Sequence, residues 1–371
     1  MGRKPKEKDD QIITDDEFLE INKKDIKKEE NNNYFMIKDK VEFFSSGCTQ
    51  LDCILGGGWA ERRTFNIIGD KMTSKTGNSV EACINFMLKY PNGRVYYIET
   101  EAALDKELAS KVGLTFNQKN IILVEDIVTI EGLYNKLLEL SGVTEDDEVA
   151  KLDKNIKINT IPTLVIVDSM DGLSDAAELE RDIEEKSFAM TKAKQSHALF
   201  RKLTRKIWLS NITLGIVSQV KDNIGVTFGN KETIACKHAL EFFSSQRLWL
   251  AHLGMITKTI DGIDMPIGNK IKARCAKNKV GRPFRTCEFP IYYEMGINDL
   301  ESNINWLGAI NKLNNFDFKK YNIEIPKRFS TLMEKCIENE KFNEIRQEIS
   351  NYAICCWKEI ESKFCPPYKK Y

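Results

Sequence analysis

The stretch TFNIIGDKMTSKT, residues 64–76, decides the fold prediction. Its apolar run ends at Gly69, and Lys75 and Thr76 follow at the spacing of a phosphate-binding loop, with Ser74 in place of the second glycine. A strand-like run precedes the loop and the helical sequence SVEACINFMLKY follows it, so backbone N–H groups and the helix dipole are predicted to bind phosphate there. The spacing alone is a weak signal, and an ordinary strand-to-helix turn is the alternative.

The side chains of this loop predict a nucleotide site with a retuned geometry. Lys75 is expected to reach the terminal phosphates of ATP, and the Thr76 hydroxyl is expected to coordinate Mg²⁺. Ser74 costs about 1 kcal/mol if its φ angle must be positive, because a Cβ atom disfavours that region. We expect this serine to slow or retune the site rather than abolish it.

Strand-like and helical runs alternate from about residue 34 to 300. TLVIVD, RVYYIE and ITLGIVSQ read as strands, and SFAMTKAKQSHALFRKLTRKIW reads as a long helix. This alternation predicts an α/β fold with a mostly parallel, twisted sheet flanked by helices. We expect a polar N-terminal arm with a subunit-contact helix at 1–33, the core at 34–300, and a helical C-terminal region at 301–371.

Composition excludes few classes of protein. The 55 Lys and Arg balance the 55 Asp and Glu, so a nucleic-acid partner requires basic residues gathered on one surface. The ten cysteines form no CxxC pair, which favours reduced thiols over disulfides or zinc. The chain has no apolar run long enough to span a bilayer and no signal peptide at its start, so we expect a cytoplasmic protein without a membrane partner.

Acidic residues follow two of the predicted strands. Asp168 ends TLVIVD, where it is suited to hold Mg²⁺ opposite Thr76, although an acid at a strand end is as often a helix cap. Glu99, Glu101 and Asp105 follow RVYYIE, and one of them is expected to polarise the water that attacks the γ-phosphate. Together with the loop, these residues make ATP hydrolysis the leading chemistry.

The chain resembles the RecA family of DNA recombinases over roughly residues 43–300. Five segments match the family pattern in order: SSGCTQLDCILGGG, YIETEAALD, VSQVKDNIGVTFGNKET, ALEFFSSQRL and KNKVGRPF. The resemblance implies a RecA-like P-loop ATPase core with a DNA-dependent ATPase activity. In lacking the second glycine the loop resembles that of phage recombinases of the UvsX kind. We therefore expect a phage-type or otherwise divergent member of the family, acting in a bacterial cell.

The resemblance also assigns site residues. It places the catalytic glutamate at Glu101, the γ-phosphate sensor at Gln219, and two lysines that reach the neighbouring subunit's ATP at Lys277 and Lys279. Phe242 matches an interface phenylalanine, and Leu108 stands where the family stacks a tyrosine on adenine. The residues expected to bind ATP are Gly69, Thr73, Ser74, Lys75, Thr76, Asp105 and Leu108.

The loop at 220–238 is expected to bind single-stranded DNA. Its exposed Ile224 and Phe228 suit contacts with bases, Gly225 gives mobility, and Lys221 and Lys237 suit contacts with phosphates. A surface loop packed on the core is the alternative, and two family glycines are Cys236 and Lys237 here.

Three further positions complete the predicted DNA surface. Phe188, in the segment 178–192 that matches the first DNA loop, is expected to act as a wedge, although the segment is acidic. Arg201 on the following helix is suited to phosphate. In KIKARCAKNK, period-two spacing puts basic residues on one face of a strand, where Lys272 and Arg274 match the family's second-strand binding site.

These features predict an ATP-dependent strand-exchange protein. With ATP and Mg²⁺ it would form homo-oligomeric helical filaments on single-stranded DNA and test homologous duplex DNA, with a single-strand-binding or loading protein as a further partner. Two alternatives remain open: an ATP-binding filament or DNA-binding module with little hydrolysis, and a ring-forming helicase motor of the same superfamily.

Overall fold

The computed structural model describes residues 41–118, 120–142, 159–179, 189–222 and 232–365. The chain divides after Val41, and the described residues from Glu42 onward belong to the second unit, Glu42–Tyr371. The N-terminal arm expected at 1–33 lies outside the described residues.

The strands of the described ranges are numbered in chain order. They are β1 Phe43–Phe44, β2 Trp59–Ala60, β3 Thr64–Gly69, β4 Arg94–Glu99, β5 Ile121–Val124, β6 Thr163–Asp168, β7 Ile212–Asp222, β8 Glu232–Ile234, β9 Gln246–Ile260, β10 Ile263–Asn278, β11 Thr286–Tyr292 and β12 Gly296–Ile297.

The α-helices are numbered in the same way. They are α1 Thr49–Leu55, α2 Lys75–Lys89, α3 Lys106–Val112, α4 Ile130–Ser141, α5 Ala176–Leu179, α6 Ala189–Leu209, α7 Lys237–Phe243, α8 Asp299–Ala309, α9 Phe329–Ile337 and α10 Phe342–Lys363.

One large sheet carries the strands in the order β12-β11-β10-β9-β3-β7-β6-β4-β5, with β8 paired to β7. From β9 to β5 all neighbours on this path are parallel, whereas β9 to β12 are antiparallel. The predicted α/β fold, with a mostly parallel sheet flanked by helices, is therefore confirmed.

Burial on both faces explains why the central strands carry apolar residues at successive positions. In β6, Leu164 and Ile166 join a core cluster that includes Leu51 of α1 and Phe86 of α2. The residues between them, Val165 and Val167, join a second cluster with Leu133 of α4 and Leu203 of α6. A strand covered by helices on both faces is expected to be apolar at successive positions, as the four central residues LVIV of the run TLVIVD are.

The sequence analysis missed the long hairpin β9–β10. Its two-residue turn is Asp261-Gly262, with φ angles of 52° and 78°, as the favoured hairpin turns require. Toward that turn the ribbon is exposed on both faces, and Ile260 and Ile263 are 58% and 61% exposed. Without a buried face the ribbon lacks the alternation of apolar and polar residues that usually reveals a strand.

The helices after residue 298 form a third core and are tied to the main body by Asp299. Its carboxylate accepts hydrogen bonds from the Thr49 amide at 2.6 Å, the Thr49 hydroxyl at 2.8 Å, and the Asn303 and Ser350 side chains at 3.0 Å each. Separately, Arg285 forms a two-point ion pair with Glu361 of α10 at 2.6 and 2.9 Å.

In the part of the chain described here, no helix is both long and apolar enough to cross a membrane.

Replacement of Asp299 by alanine is expected to lower the free energy of unfolding by about 2–4 kcal/mol, because four donors lose a charged acceptor. Urea denaturation measures the change. The control is Asp317→Ala, since the Asp317 carboxylate accepts one amide, that of Lys320, at 3.4 Å. Equal losses in the two variants would show that Asp299 does not hold the helices to the core.

Candidate functional site

The loop between β3 and α2 has a backbone that its sequence fits imperfectly. Ser74, the residue before α2, has φ 58° and ψ 39°, in the left-handed region that favours glycine, and its side chain does not cap the helix. At Gly69 a Cβ atom would lie 2.3 Å from the Thr73 hydroxyl, so this position requires glycine. The amides at the start of α2 therefore have no side-chain cap, as in helix ends that bind anions.

Lys75 folds back over this loop. Its ammonium donates to the Asp70 carbonyl at 2.7 Å, and the Thr73 hydroxyl donates to the same oxygen at 2.7 Å. Burial lowers the pKa of the Lys75 ammonium, while the nearby carboxylates of Asp168 and Asp70 raise it. A phosphate that displaced the carbonyl would meet a partly buried positive charge.

Asp168 and Thr76 meet at the end of β6. The Thr76 hydroxyl donates to Asp168 Oδ2 at 2.8 Å, and the Tyr97 hydroxyl donates to the same atom at 2.7 Å. Burial raises the pKa of Asp168, and the two hydrogen bonds lower it. In the described ranges no group of three or more His, Cys, Asp or Glu side chains is arranged to hold a metal. A hydroxyl and a carboxylate oxygen nevertheless suit Mg²⁺, which keeps several waters and also binds substrate phosphates.

The three acids after β4 have different surroundings. Glu99 is buried and accepts the amides of Glu101 and Ala103 at 3.0 and 3.3 Å, so it shapes the turn. Asp105 accepts the Leu108 amide at 2.9 Å and caps α3. The exposed Glu101 receives a hydrogen bond from Ser169, the residue after Asp168. Glu101 is thus the acid of this group that is both exposed and joined to the Asp168 segment.

A cavity of about 290 Å³ opens beside the loop. The P-loop residues Ser74 and Thr76 line one part, Asp105 and Leu108 line another, and Tyr293 after β11 is also in its wall. Its apolar lining and its position beside α2 are those expected of a pocket for a nucleobase.

Gln219 lies beside the loop because β7 is the parallel neighbour of β3. Gln219 is directly opposite Gly69 in the strand register. The backbone N–H of Gln219 donates to Asp171 Oδ2 at 2.9 Å, and the Lys221 ammonium forms an ion pair with Asp171 Oδ1 at 2.9 Å. Lys221, which is predicted to contact DNA, is thus bound to Asp171, three residues after Asp168.

Lys277 and Lys279 lie together at the end of α7. The Lys277 ammonium donates to the carbonyls of Glu241 and Phe242, the latter at 3.0 Å, and Lys279 donates to the Phe242 carbonyl at 3.1 Å. Phe242 itself is 67% exposed. Two cations and an exposed aromatic ring therefore form one patch on the surface.

The basic residues of β10 alternate as their spacing predicts. Lys270, Lys272 and Arg274 are exposed, and the residues between them are buried. Lys272 forms an exposed ion pair with Glu288 at 3.6 Å.

Two of the predicted DNA contacts share a cavity of about 340 Å³. Lys237 at the start of α7 and Arg274 line it together with the buried Arg247, whose guanidinium pairs with Glu241 at 3.1 Å. Arg201 is exposed on α6. The remaining predicted contacts, Phe188, Ile224, Gly225 and Phe228, lie outside the described residues.

Sequence reasoning missed four residues at these sites: Tyr97, Ser169, Asp171 and Tyr293. Two of them had a signal in the sequence. Asp171 is a second acid three residues after the strand-end Asp168, and the pair of tyrosines at 292–293 follows a strand-like run. The buried hydroxyl of Tyr97 had none, because tyrosine is common in strands.

Comparison with known proteins matches the region that contains these residues to one family. The model of the RecA N-terminal domain matches residues 20–298. Protein RecA of Nostoc sp. is 30% identical over 261 residues, which are 70% of this chain and 66% of the relative. Protein RecA of Chlamydia muridarum is 31% identical over 262 residues, with 70% and 66% covered. The chain therefore spans just under two thirds of the length of these relatives.

Replacement of Ser74 by glycine is expected to raise the free energy of unfolding by about 0.5–1 kcal/mol, because glycine adopts this φ without a Cβ penalty. Ser110→Gly is the matched control: Ser110 lies within the helix α3, where glycine is expected to cost about 0.5 kcal/mol. Denaturant titration of both variants gives the comparison. Destabilisation by Ser74→Gly would mean that the serine side chain contributes more than its backbone costs.

Proposed function

The chain belongs to the RecA family, and from that membership we propose that it is a DNA-dependent ATPase that catalyses strand exchange from helical filaments on single-stranded DNA. The observation that carries this proposal is the meeting of Lys75, the Thr76–Asp168 pair and Gln219 at one edge of the sheet. Gln219 lies on β7, the strand that leads directly into the segment matching a DNA loop.

ATP binding is assigned to the loop and the adjacent cavity. The backbone of Gly69, Thr73 and Ser74 surrounds the phosphates, and Lys75 exchanges the Asp70 carbonyl for a phosphate oxygen. Asp105 and Leu108 contact the base in the cavity of about 290 Å³. Leu108 supplies apolar contact without the stacking of an aromatic ring.

Thr76 and Asp168 are the residues that would hold Mg²⁺. The metal, when bound, neutralises charge that develops on the phosphates. Asp168 is kept in position for this by Tyr97, whose hydroxyl donates to Oδ2 at 2.7 Å.

Hydrolysis is assigned to Glu101 as the group that orients and deprotonates the attacking water. Ser169 donates to its carboxylate and fixes it next to the Asp168 segment. Gln219 senses the γ-phosphate through its position opposite Gly69. A change at Gln219 is passed along β7 toward the DNA loop.

Filament assembly is assigned to the patch formed by Lys277, Lys279 and Phe242. The carbonyls that hold both ammonium groups are exchangeable partners for the phosphates of ATP on a neighbouring copy. ATP bound between two copies would then set the geometry of the helix.

DNA binding is assigned to two surfaces. Lys221, Lys237 and Arg201 meet the phosphates of the single strand. By resemblance, Phe188, Ile224 and Phe228 contact its bases, and Gly225 gives the loop mobility. Lys272 and Arg274 on the exposed face of β10 meet the second DNA. Since the charged contacts are to the DNA backbone and none of the base contacts reads a base edge, binding depends strongly on salt and weakly on sequence.

A filament module with little hydrolysis is the second candidate function. The left-handed backbone of Ser74 and the aliphatic Leu108 favour it, since both depart from an efficient ATP site. Phosphate release with and without single-stranded DNA separates the two candidates: no stimulation by DNA supports the module. Closed rings in negative-stain images would instead indicate a helicase motor.

Replacement of Glu101 by glutamine is expected to slow DNA-stimulated phosphate release by about 100-fold or more, because the water loses its base. ATP-dependent binding to an oligonucleotide should persist, since the amide leaves the loop and the metal pair unchanged. Loss of both properties together would contradict the assigned role.

Displacement-loop formation with ATP and magnesium tests the proposed function itself. The wild type should pair a homologous oligonucleotide with a supercoiled duplex, and Lys75→Ala should not. A wild type that stays monomeric with ATP and does not bind oligonucleotides would refute the proposal.

The pH profile of turnover is expected to depend on Lys277. Burial, followed by the positive charges of Lys279 and Arg247, lowers the pKa of its ammonium to about 8. As the pH rises through that value, Lys277 loses the charge that it offers to a phosphate, so DNA-stimulated turnover should fall. Lys277→Arg should move the fall to higher pH. The control is Lys258→Arg, because Lys258 lies opposite Met265 near the turn end of the β9–β10 hairpin. Superimposable profiles for wild type and Lys277→Arg would exclude this titration.

A further inference from the structure

Asp171 joins the nucleotide site to the stem of the DNA loop. Beyond the end of β6, the segment 169–171 continues along β7: the Met170 amide donates to the Val217 carbonyl at 3.1 Å. At the next step the Asp171 carboxylate, instead of a backbone carbonyl, accepts the Gln219 amide at 2.9 Å. The side chain thus extends the ladder by one bond and holds the backbone of Gln219 in place.

The other oxygen of this carboxylate faces Lys221. Asp171 Oδ1 lies 2.9 Å from the Lys221 ammonium, and the Asp171 side chain is 6% exposed whereas that of Lys221 is 55% exposed. Oδ1 is buried and, among the described residues, accepts no well-directed hydrogen bond, although the Lys221 ammonium is within reach. Lys221 is therefore the cation that balances this oxygen, and the pairing is electrostatic.

The backbone of Lys221 is held in a strand pair, whereas its side chain is 55% exposed. Lys221 pairs with Thr233 across the β7–β8 stem, and the segment 223–231 joins the two strands. A four-carbon side chain on a fixed backbone can exchange one anion for another without movement of the strand. A DNA phosphate and Asp171 are then competing partners for one ammonium.

The same segment leads back to the hydrolytic side. The Asp171 amide donates to the Ser169 hydroxyl at 3.2 Å, and that hydroxyl donates to Glu101. Glu101, Ser169, Asp171 and Gln219 thus form one chain of hydrogen bonds, with Lys221 attached at its end.

We propose that Asp171 is a positioning residue that holds the Gln219 backbone for catalysis and binds Lys221 until a DNA phosphate displaces it. This inference rests on the proposed function, since it requires ATP turnover and DNA binding by the chain. Because every DNA-bound chain must first break the Asp171–Lys221 pair, the pair weakens DNA binding and reports it to the nucleotide site.

Two substitutions at Asp171 separate its two contacts. Asp171→Asn keeps an oxygen that accepts the Gln219 amide but removes the charge that holds Lys221, whereas Asp171→Ala removes both. We expect Asp171→Asn to tighten oligonucleotide binding about two- to five-fold, the range of an exposed ion pair. Asp171→Ala should lower DNA-stimulated kcat about ten-fold with a smaller change in KM for ATP, and Asp171→Asn should restore kcat to within about two-fold.

Repeating Asp171→Asn in a Lys221→Met background shows whether the tighter oligonucleotide binding comes from loss of the Asp171–Lys221 ion pair. Lys221→Met should weaken binding and reduce the salt slope by about 0.7, the value for one phosphate contact on a single strand. Asp171→Asn should add nothing in that background, and Glu178→Gln, which removes another acid close in sequence, should not tighten binding in the wild type. An equal gain with and without Lys221, or no gain in either, would overturn the proposal.

Lysine acylation followed by mass spectrometry tests the pair without DNA or ATP. Lys221 should react several-fold faster in Asp171→Asn than in the wild type, with Lys258 as an internal reference. Equal rates would overturn the proposal even if the chain proves to be a recombinase. Conversely, the proposed function would be contradicted if the wild type binds no oligonucleotide. A faster acylation of Lys221 in Asp171→Asn would in that case still support the ion pair.

Discussion

Parallel pairing in register between four neighbouring strands fixes the geometry of the candidate site. Gly69 lies opposite Gln219, and Glu99 lies opposite Asp168, so four strand ends reach the same edge of the sheet. The strands are far apart in sequence, and hydrogen-bonded pairing is what brings their ends within reach of one ligand. A slip of one residue would turn each of these side chains to the opposite face.

The candidate site concentrates negative charge. Asp168 is surrounded by Glu99 and Glu101, whose charges add to burial in raising its pKa. Lys75 lies near Asp168 and Asp171, and Lys221 forms an ion pair with Asp171. In the proposed function, a nucleotide phosphate that takes Lys75 and a DNA phosphate that takes Lys221 would each draw a positive charge away from Asp171, so the two binding events would be coupled through that carboxylate.

The sequence predicted the parts of the fold where a single physical rule applies. The runs TFNIIG and TLVIVD are strands whose burial on both faces favours successive apolar side chains, and β10 alternates because one face is exposed. The outer part of β9–β10 follows neither rule and was missed. Within the site, the loop spacing indicated Lys75 and Thr76, but Asp171 acts through a contact with a strand that lies about 50 residues later. Such a partner follows from strand order, which one sequence does not reveal.

The position of Asp299 has a consequence for the way in which the chain is made. Thr49, near the start of the core, obtains its acceptor 250 residues later, and β3 is enclosed by β7 and β9, which leave the ribosome long after it. The first third of the chain thus emerges during translation with its apolar strands uncovered on one or both edges. Such a topology folds slowly and exposes apolar surface until the later strands are made. A cell that produces this protein rapidly would therefore need chaperones to shield the nascent chain.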